Sequence, residues 1–279
     1  MSEAKTIVLT GASSGIGLAA AQQLAAQGAA LVLVSRDPVR GAAARDLVSQ
    51  VATGPAPVFM AADLSRQGAI RSLASGLHKQ LDRIDVLLNN AGTAARHREL
   101  TVDGLEKTFA TNHLGPFLLT NLVLDLLLAA PEGRIVTTTS ESHARRLEFD
   151  NLQGERRYSF FSAYARSKLA NILFTYELAR RLEGTRVTAN CLHPGAVATR
   201  LGQNNGRLAT AVTKLLRPFF RTPEQGAETA IYLASSPAVE GVNGKYFVDC
   251  REARSSRTSY DTELARRLWD ASARLTGVG

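Results

Sequence analysis

Seven short runs rich in β-branched and leucine side chains recur along the chain, and each of the first six leads into a stretch of helical periodicity. That alternation restricts the fold more than any other feature. The runs are residues 6–10, 30–35, 58–61, 86–89, 134–139, 186–192 and 245–248. Strands joined through helices pair in parallel, and a parallel sheet needs both faces covered. The expected fold is therefore α/β, a single-domain doubly wound parallel sheet spanning residues 1–250. No linker, repeat or low-complexity segment divides it. Residues 251–279 form a tail in which Leu264, Leu268, Ala271 and Leu275 recur at helical spacing, so a helix packed on the domain or on a neighbouring subunit is expected.

In such sheets ligands gather at the carboxyl ends of the strands, and the chemically suggestive motifs fall there. Thr10-Gly11-Ala12-Ser13-Ser14-Gly15-Ile16-Gly17 follows the first run and precedes a helical pattern. A strand, a glycine-rich turn and a helix N-terminus make an anion site whose backbone N–H groups can meet a pyrophosphate; the plainer reading is a loop that needs positive φ angles. Asn89-Asn90-Ala91-Gly92 ends the fourth run, and the fifth ends in hydroxyls at Thr137, Thr138, Thr139 and Ser140. Further on, Tyr164 and Lys168 stand one helical turn apart. Residues at i and i+4 share a face, so the ammonium is expected to lower the phenol from its usual pKa of about 10 and to suit it to moving a proton on and off an alcohol oxygen. Alone, the pair also reads as a surface tyrosine beside a solvated lysine.

Taken with Thr111-Asn112-His113-Leu114-Gly115 and His193-Pro194-Gly195-Ala196-Val197-Ala198-Thr199, these motifs resemble the short-chain dehydrogenase/reductase family, with its Rossmann-like fold, over nearly the whole chain. Phe149-Asp150-Asn151-Leu152-Gln153, the run 167–175, Thr222-Pro223-Glu224-Gln225-Gly226-Ala227 and the run 244–250 look most like the retinol dehydrogenase and carbonyl reductase branch. The resemblance implies an oxidoreductase in which Tyr164 exchanges the proton. Lys168 tunes Tyr164 and holds the nicotinamide ribose, Ser140 bonds the substrate oxygen, and Asn112 supports a water path to Lys168. Ser142 and Thr139 compete for the role of Ser140. The implied cofactor-binding set is Gly11, Ser13, Ser14, Gly15, Ile16, Gly17, Arg36, Asp63, Leu64, Asn90, Ala91, Gly92, Tyr164, Lys168, Pro194, Gly195, Val197 and Thr199. Asp63 would lie beside the adenine, and residues 194–199 would position the nicotinamide carboxamide.

The second strand selects the cofactor. An acidic residue there accepts from the ribose of NAD, whereas an arginine accommodates the 2′-phosphate of NADP. By resemblance Ser35 takes the acidic slot and Arg36 follows it, so NADP(H) is expected. Asp37, followed by Pro38, reads as a helix N-cap.

A net charge of +8 invites a nucleic-acid reading, but the arginines are scattered without an aromatic stripe or a nucleic-acid fold, so no nucleic acid is expected. The five histidines lack paired ligand spacing, and no metal is expected. Cys191 and Cys250 read as free thiols of a reducing compartment. Strand-like sequence begins by Lys5 without a signal pattern, and residues 114–130 read as a buried helix, so a cytoplasmic protein is expected. Helices at 113–130 and 164–182 are expected to form a homodimer or larger homo-oligomer. Residues 197–222 are expected to form a substrate lid, because Leu208, Ala211, Val212, Leu215, Leu216, Phe219 and Phe220 give an apolar helical face. A core-completing helix and a membrane-surface contact are the alternatives, in that order. The lid implies an apolar carbonyl or alcohol substrate, retinoid-like or aromatic. The competing function class is an NADP(H)-sensing or scaffold protein without turnover.

Overall fold

The computed structural model describes residues 4–197 and 221–278. The strands are β1 (Thr6–Thr10), β2 (Ala30–Ser35), β3 (Val58–Ala61), β4 (Val86–Asn89), β5 (Arg134–Thr138), β6 (Thr188–His193), β7 (Tyr246–Val248) and β8 (Arg251–Ala253). Between them lie α1 (Gly15–Ala26), α2 (Pro38–Ser49), α3 (Gln67–Gln80), α4 (Lys107–Phe109), α5 (Gly115–Leu122), α6 (Leu124–Leu128), α7 (Phe160–Arg181) and α8 (Pro223–Ser235), and α9 (Thr262–Thr276) closes the described chain. The strand order is β3-β2-β1-β4-β5-β6-β7-β8. The order reverses at β1, between the carboxyl ends of β1 and β4, where a doubly wound sheet binds its ligand.

Side chains of one strand alternate between two cores. Ile7 and Leu9 pack with α1 and α8 through Leu24, Ala227, Ala230 and Leu233, whereas Val8 joins Ile70, Leu77, Phe117 and Phe174 on the other face. Burial on both faces is why these strands read as unbroken apolar runs.

Two features depart from the sequence expectation, and a third gives the tail its place. The sheet is not wholly parallel, since β8 pairs antiparallel with β7. The turn between them is Asp249-Cys250, both at positive φ (51° and 59°), the geometry of a tight hairpin without the glycine or asparagine that signals one. The helix expected over 113–130 is broken: residues Ala110–Leu114 form a π-turn, and Val123 (φ −118°, ψ 17°) separates α5 from α6. Third, the last helix, α9, packs against α5 and α7. Trp269 stacks on Phe174 with ring centroids 5.8 Å apart, meets Phe117 edge-on at 4.9 Å, and lies under the Arg181 guanidinium at 4.1 Å. Gln67 Nε2 and Arg71 Nη2 donate to the carbonyls of Leu275 and Thr276 at the helix end (2.8 and 2.7 Å). The expected helical tail thus packs on the domain of its own chain through this aromatic cluster.

Among the described residues no helix is long and apolar enough to cross a membrane, and both cysteines are free.

Candidate active site

The glycine loop is built against the end of β4. Thr10 Oγ1, fully buried, accepts from the N–H groups of Asn90 and Ala91 (3.0 and 3.1 Å), and Asn90 Nδ2 donates to the Thr10 carbonyl (3.1 Å). This clamp leaves no room for a side chain at Gly11 or Gly17. A Cβ on Gly17 would lie 2.2 Å from the Gly11 carbonyl oxygen and 2.6 Å from Asn90 Nδ2, and one on Gly11 (φ +72°) 2.8 Å from Ala91 Cα. Gly15 also has positive φ (56°). Ser14 is the N-cap of α1 but makes no side-chain capping bond, and the first turn holds no acidic residue. The result is a shallow cradle, walled by Ser13, Ser14 and Ile16, over an uncapped helix N-terminus. It fits the phosphates of a dinucleotide.

Gly11 and Ala12 donate to the Val34 carbonyl (2.8 and 3.3 Å), which sets the end of β2 beside the cradle. There Ser35 is buried, while Arg36 is exposed and makes no hydrogen bond or ion pair among the described residues. Asp37 is fully engaged. Oδ1 accepts from the N–H groups of Val39 and Arg40 (3.0 Å each), and Oδ2 meets Arg40 Nε at 2.9 Å. Those bonds hold its carboxyl below the usual aspartate range. Asp63 Oδ1 accepts from Ser65 N (3.0 Å) and Oγ (2.8 Å) in the turn before α3, beside the buried Leu64.

Helix α7 starts at a reciprocal Ser159–Ser162 capping box, which fixes Tyr164 and Lys168 within its first three turns. Lys168 is 4% exposed, and its Nζ donates to the Thr138 carbonyl at 2.9 Å. Burial lowers its pKa to about 8. Tyr164 departs from expectation: its pKa is raised by burial, against a smaller lowering by a hydrogen bond with Ser140. The ammonium does not reverse this. It lies 5.6 Å from the ring centroid and is committed to the end of β5.

The three competing hydroxyls have different surroundings. Thr139 Oγ1 is tied into the sheet by a bond to the Leu192 carbonyl (2.8 Å), and Ser142 is exposed. Ser140 is buried, its Oγ accepts from Ser142 N (3.1 Å), and of the three it alone acts to lower the pKa of the Tyr164 phenol. Two histidines hold its loop. His143 Nδ1–H donates to the Ser140 carbonyl (2.7 Å) while its Nε2 accepts from Ser256 N (3.2 Å), and His193 Nδ1 accepts from Glu141 N (3.2 Å).

Asn112 sits in the π-turn, fully buried. Its Oδ1 accepts from Thr93 N (2.7 Å), and its Nδ2 donates to the Thr93 carbonyl (2.9 Å) and Ser167 Oγ (3.0 Å). Pro116 has no N–H to offer the Asn112 carbonyl. Asn171 Nδ2 takes it at 2.8 Å. Position 92 borders both groups, for a Cβ there would lie 3.6 Å from Asn112 Oδ1 and 3.9 Å from Lys168 Nζ. Nothing in the sequence marks Thr10 and Asn171 as builders of this site, because a buried threonine or asparagine carries no local signal of its partner.

Pro194 and Gly195 (φ +81°) lead from β6 to Val197, which bridges Arg221 and packs with Ile16 around Gly226. Thr199 and nearly all of the expected lid, including Leu208, Ala211, Val212, Leu215, Leu216, Phe219 and Phe220, lie outside the described residues.

The short chain dehydrogenase family profile matches residues 5–208. Retinol dehydrogenase 14 of Homo sapiens is 42% identical over 296 residues, covering 98% of this chain and 87% of its own length. Retinol dehydrogenase 12 of Mus musculus is 38% identical over 275 residues, again covering 98% and 87%. Among solved structures, an uncharacterised protein from Mycobacterium paratuberculosis superposes with a TM-score of 0.78 at 34% identity, over 98% of this chain and 93% of that one. The Pseudomonas aeruginosa RhlG/NADP active-site complex superposes at 0.70 with 27% identity, over 87% and 93%. Likeness of this order along almost the full length leaves one ancestry: this chain belongs to the retinol dehydrogenase branch of the short-chain dehydrogenase/reductase family, oxidoreductases that interconvert alcohols and carbonyls with a nicotinamide cofactor.

Proposed function

We propose that the protein is an NADP(H)-dependent oxidoreductase that interconverts an apolar aldehyde or ketone, retinoid-like or aromatic, with its alcohol. The observation that supports this most is the convergence of Ser140, Tyr164, Lys168 and Asn112 at the carboxyl edge of the sheet, next to the glycine cradle. When bound, the cofactor supplies a hydride to the carbonyl carbon or accepts one from the alcohol. Tyr164 donates its phenolic proton to the carbonyl oxygen in reduction and takes one from the alcohol in oxidation. Its raised pKa keeps the proton in place at neutral pH, the form that reduction needs. Ser140 hydrogen-bonds the substrate oxygen where charge develops. Lys168, with a pKa of about 8, is largely protonated at neutral pH and opposes the negative charge left on the phenol oxygen. Asn112 braces the Gly92–Thr93 loop against α7 and supports a water path to Lys168.

The exposed Arg36 meets the 2′-phosphate, while Asp37 is held by its helix and is a poor acceptor for the ribose of NAD. The remaining contacts are Asp63 and Leu64 toward the adenine and Pro194, Gly195 and Val197 toward the nicotinamide. NADPH is expected to give kcat/KM at least about tenfold above NADH, the worth of one charge-assisted hydrogen bond. Arg36→Asp should abolish or invert that ratio. Equal kcat/KM for both cofactors in the native protein would refute the assignment.

The apolar substrate is supported by the names of the retinol dehydrogenase relatives and by the apolar pattern of residues 208–220. In a series of straight-chain aldehydes each added buried methylene should contribute up to about 0.8 kcal/mol to kcat/KM until the pocket fills. A flat series, or preference for polyhydroxylated substrates, would exclude it. Tight NADPH binding without turnover across such a series would instead favour a sensing protein.

A further inference from the structure

The segment 144–158 and the start of α7 line an open cavity of about 400 Å³ that none of the four proposed active-site side chains lines. Arg166 does line it. Arg166 follows Tyr164 by two residues, so it leaves the helix about 200° round from the phenol. It is 6% exposed, and its Nε and Nη2 are buried without a hydrogen-bond partner.

The acidic groups that act on it from a distance are engaged elsewhere. Glu106 accepts from the N–H groups of Thr108 and Phe109 at the start of α4 (2.7 and 2.8 Å) and lies 3.5 Å from the Tyr158 hydroxyl. Glu155 accepts from Gln153 N, and Glu148 is paired with Arg157. A buried guanidinium with unmet donors is costly in a fold that otherwise satisfies its charges. Arg157 and Arg146 stand on the same wall, and Arg146 is exposed with no ion pair among the described residues. The guanidinium groups of Arg146, Arg157 and Arg166 thus gather at the amino end of a 22-residue helix, with Glu148 facing them on the lining and Glu106 and Glu155 acting on Arg166 as well.

We propose that this cavity binds a phosphate group, as inorganic phosphate or as the monoester end of a small organic molecule, with Arg166 as the buried anchor and Arg146 and Arg157 at the mouth. The tetrahedral oxygens of phosphate accept from guanidinium forks approaching from several sides, and the helix dipole adds to the attraction. The cavity is larger than phosphate alone requires, which leaves room for an organic remainder beside Ala144 and Tyr158.

Calorimetric titration of the full chain with inorganic phosphate and, separately, phenyl phosphate tests this, with ionic strength held constant and NADPH present to fill the dinucleotide cleft. Saturable one-to-one binding is expected, weakened at least about tenfold by Arg166→Met and several-fold by Arg146→Ala. Tighter binding of phenyl phosphate would identify an organic monoester as the natural class, and equal affinities would identify phosphate itself. Arg146→Ala changes only an exposed side chain and decides the matter if Arg166→Met does not fold. Neither variant touches the glycine loop, so their effect separates this cavity from the cofactor site whichever nucleotide that site prefers. Absence of saturable heat with both probes, or affinities unchanged in the variants, would overturn the proposal.

Discussion

Lowering the pH should destabilise the protein through one buried imidazole. His113 has no exposed surface and sits among Phe109, Phe117 and Phe174, with ring centroids 5.0–6.2 Å away. Its Nδ1 faces Asn171 Oδ1 at 3.2 Å and its Nε2 faces Ser272 Oγ at 2.8 Å. Asn171 already donates from Nδ2 to the Asn112 carbonyl, so its Oδ1 is an acceptor, and the neutral ring carries its proton on Nδ1. Burial holds the His113 pKa at about 4, against 6.5 for the free side chain. Between those values the unfolded chain binds more protons than the folded one, so stability falls as pH drops from about 6.5 and levels off below about 4. Two and a half pH units at about 1.4 kcal/mol each give a loss of about 3 kcal/mol. Urea unfolding at a series of pH values, followed by the fluorescence of the single tryptophan, Trp269, measures it in wild type and in His113→Gln. The variant will be less stable at pH 7 but should show a pH slope shallower by about 3 kcal/mol over this range. Carboxylates that titrate in the same range appear in both curves and cancel. Parallel curves for the two proteins would refute the argument.

Tyr164→Phe should retain NADPH binding and lower turnover about 10²-fold or more, because a positioned general acid is lost; near-native activity in this variant would show the site misread. For carbonyl reduction, kcat/KM should fall as pH rises through about 8, where Lys168 loses its proton, and Lys168→Arg should remove that limb from the pH profile. Gly17→Ala forces a methyl to within 2.2 Å of the Gly11 carbonyl oxygen, so it should cost about 1–3 kcal/mol of stability and weaken NADPH binding in a fluorescence titration. Trp269→Ala empties the contact between α9 and the Phe117–Phe174 pair and should lower stability by about 2 kcal/mol in circular-dichroism melts, with a half-buried side chain setting the size. An unchanged melt would mean that the tail contributes little.

Much of this architecture is local and was open to reading from the chain. The first four strands match the runs read from the sequence residue for residue, since an unbroken apolar run between helical stretches leaves few alternatives in a sheet covered on both faces. The glycine loop was equally legible, because positive φ and close backbone approach are demands that glycine meets at the position itself. Asp37 as a cap followed from its neighbour Pro38, and the turn bears it out through two backbone N–H bonds. Spacing therefore determined which residues lie on strands, which end at the ligand edge and which share a helix face.

Partnership was decided elsewhere. Periodicity showed that α5 and α7 carry apolar faces, but not which of their residues meet Trp269 from residues 262–276; those aromatic contacts exist only in three dimensions. The i+4 spacing put Lys168 beside Tyr164, yet the sign of the phenol's pKa shift follows from burial and from the Thr138 carbonyl that holds the ammonium. Asn112 reads as any helical asparagine until Thr93, Ser167 and Asn171 arrive from segments far along the chain. The physical reason is common to all three. Conformational preference and periodicity act over a few neighbouring residues, whereas desolvation and hydrogen-bond partnership depend on what the folded chain brings within a few ångströms.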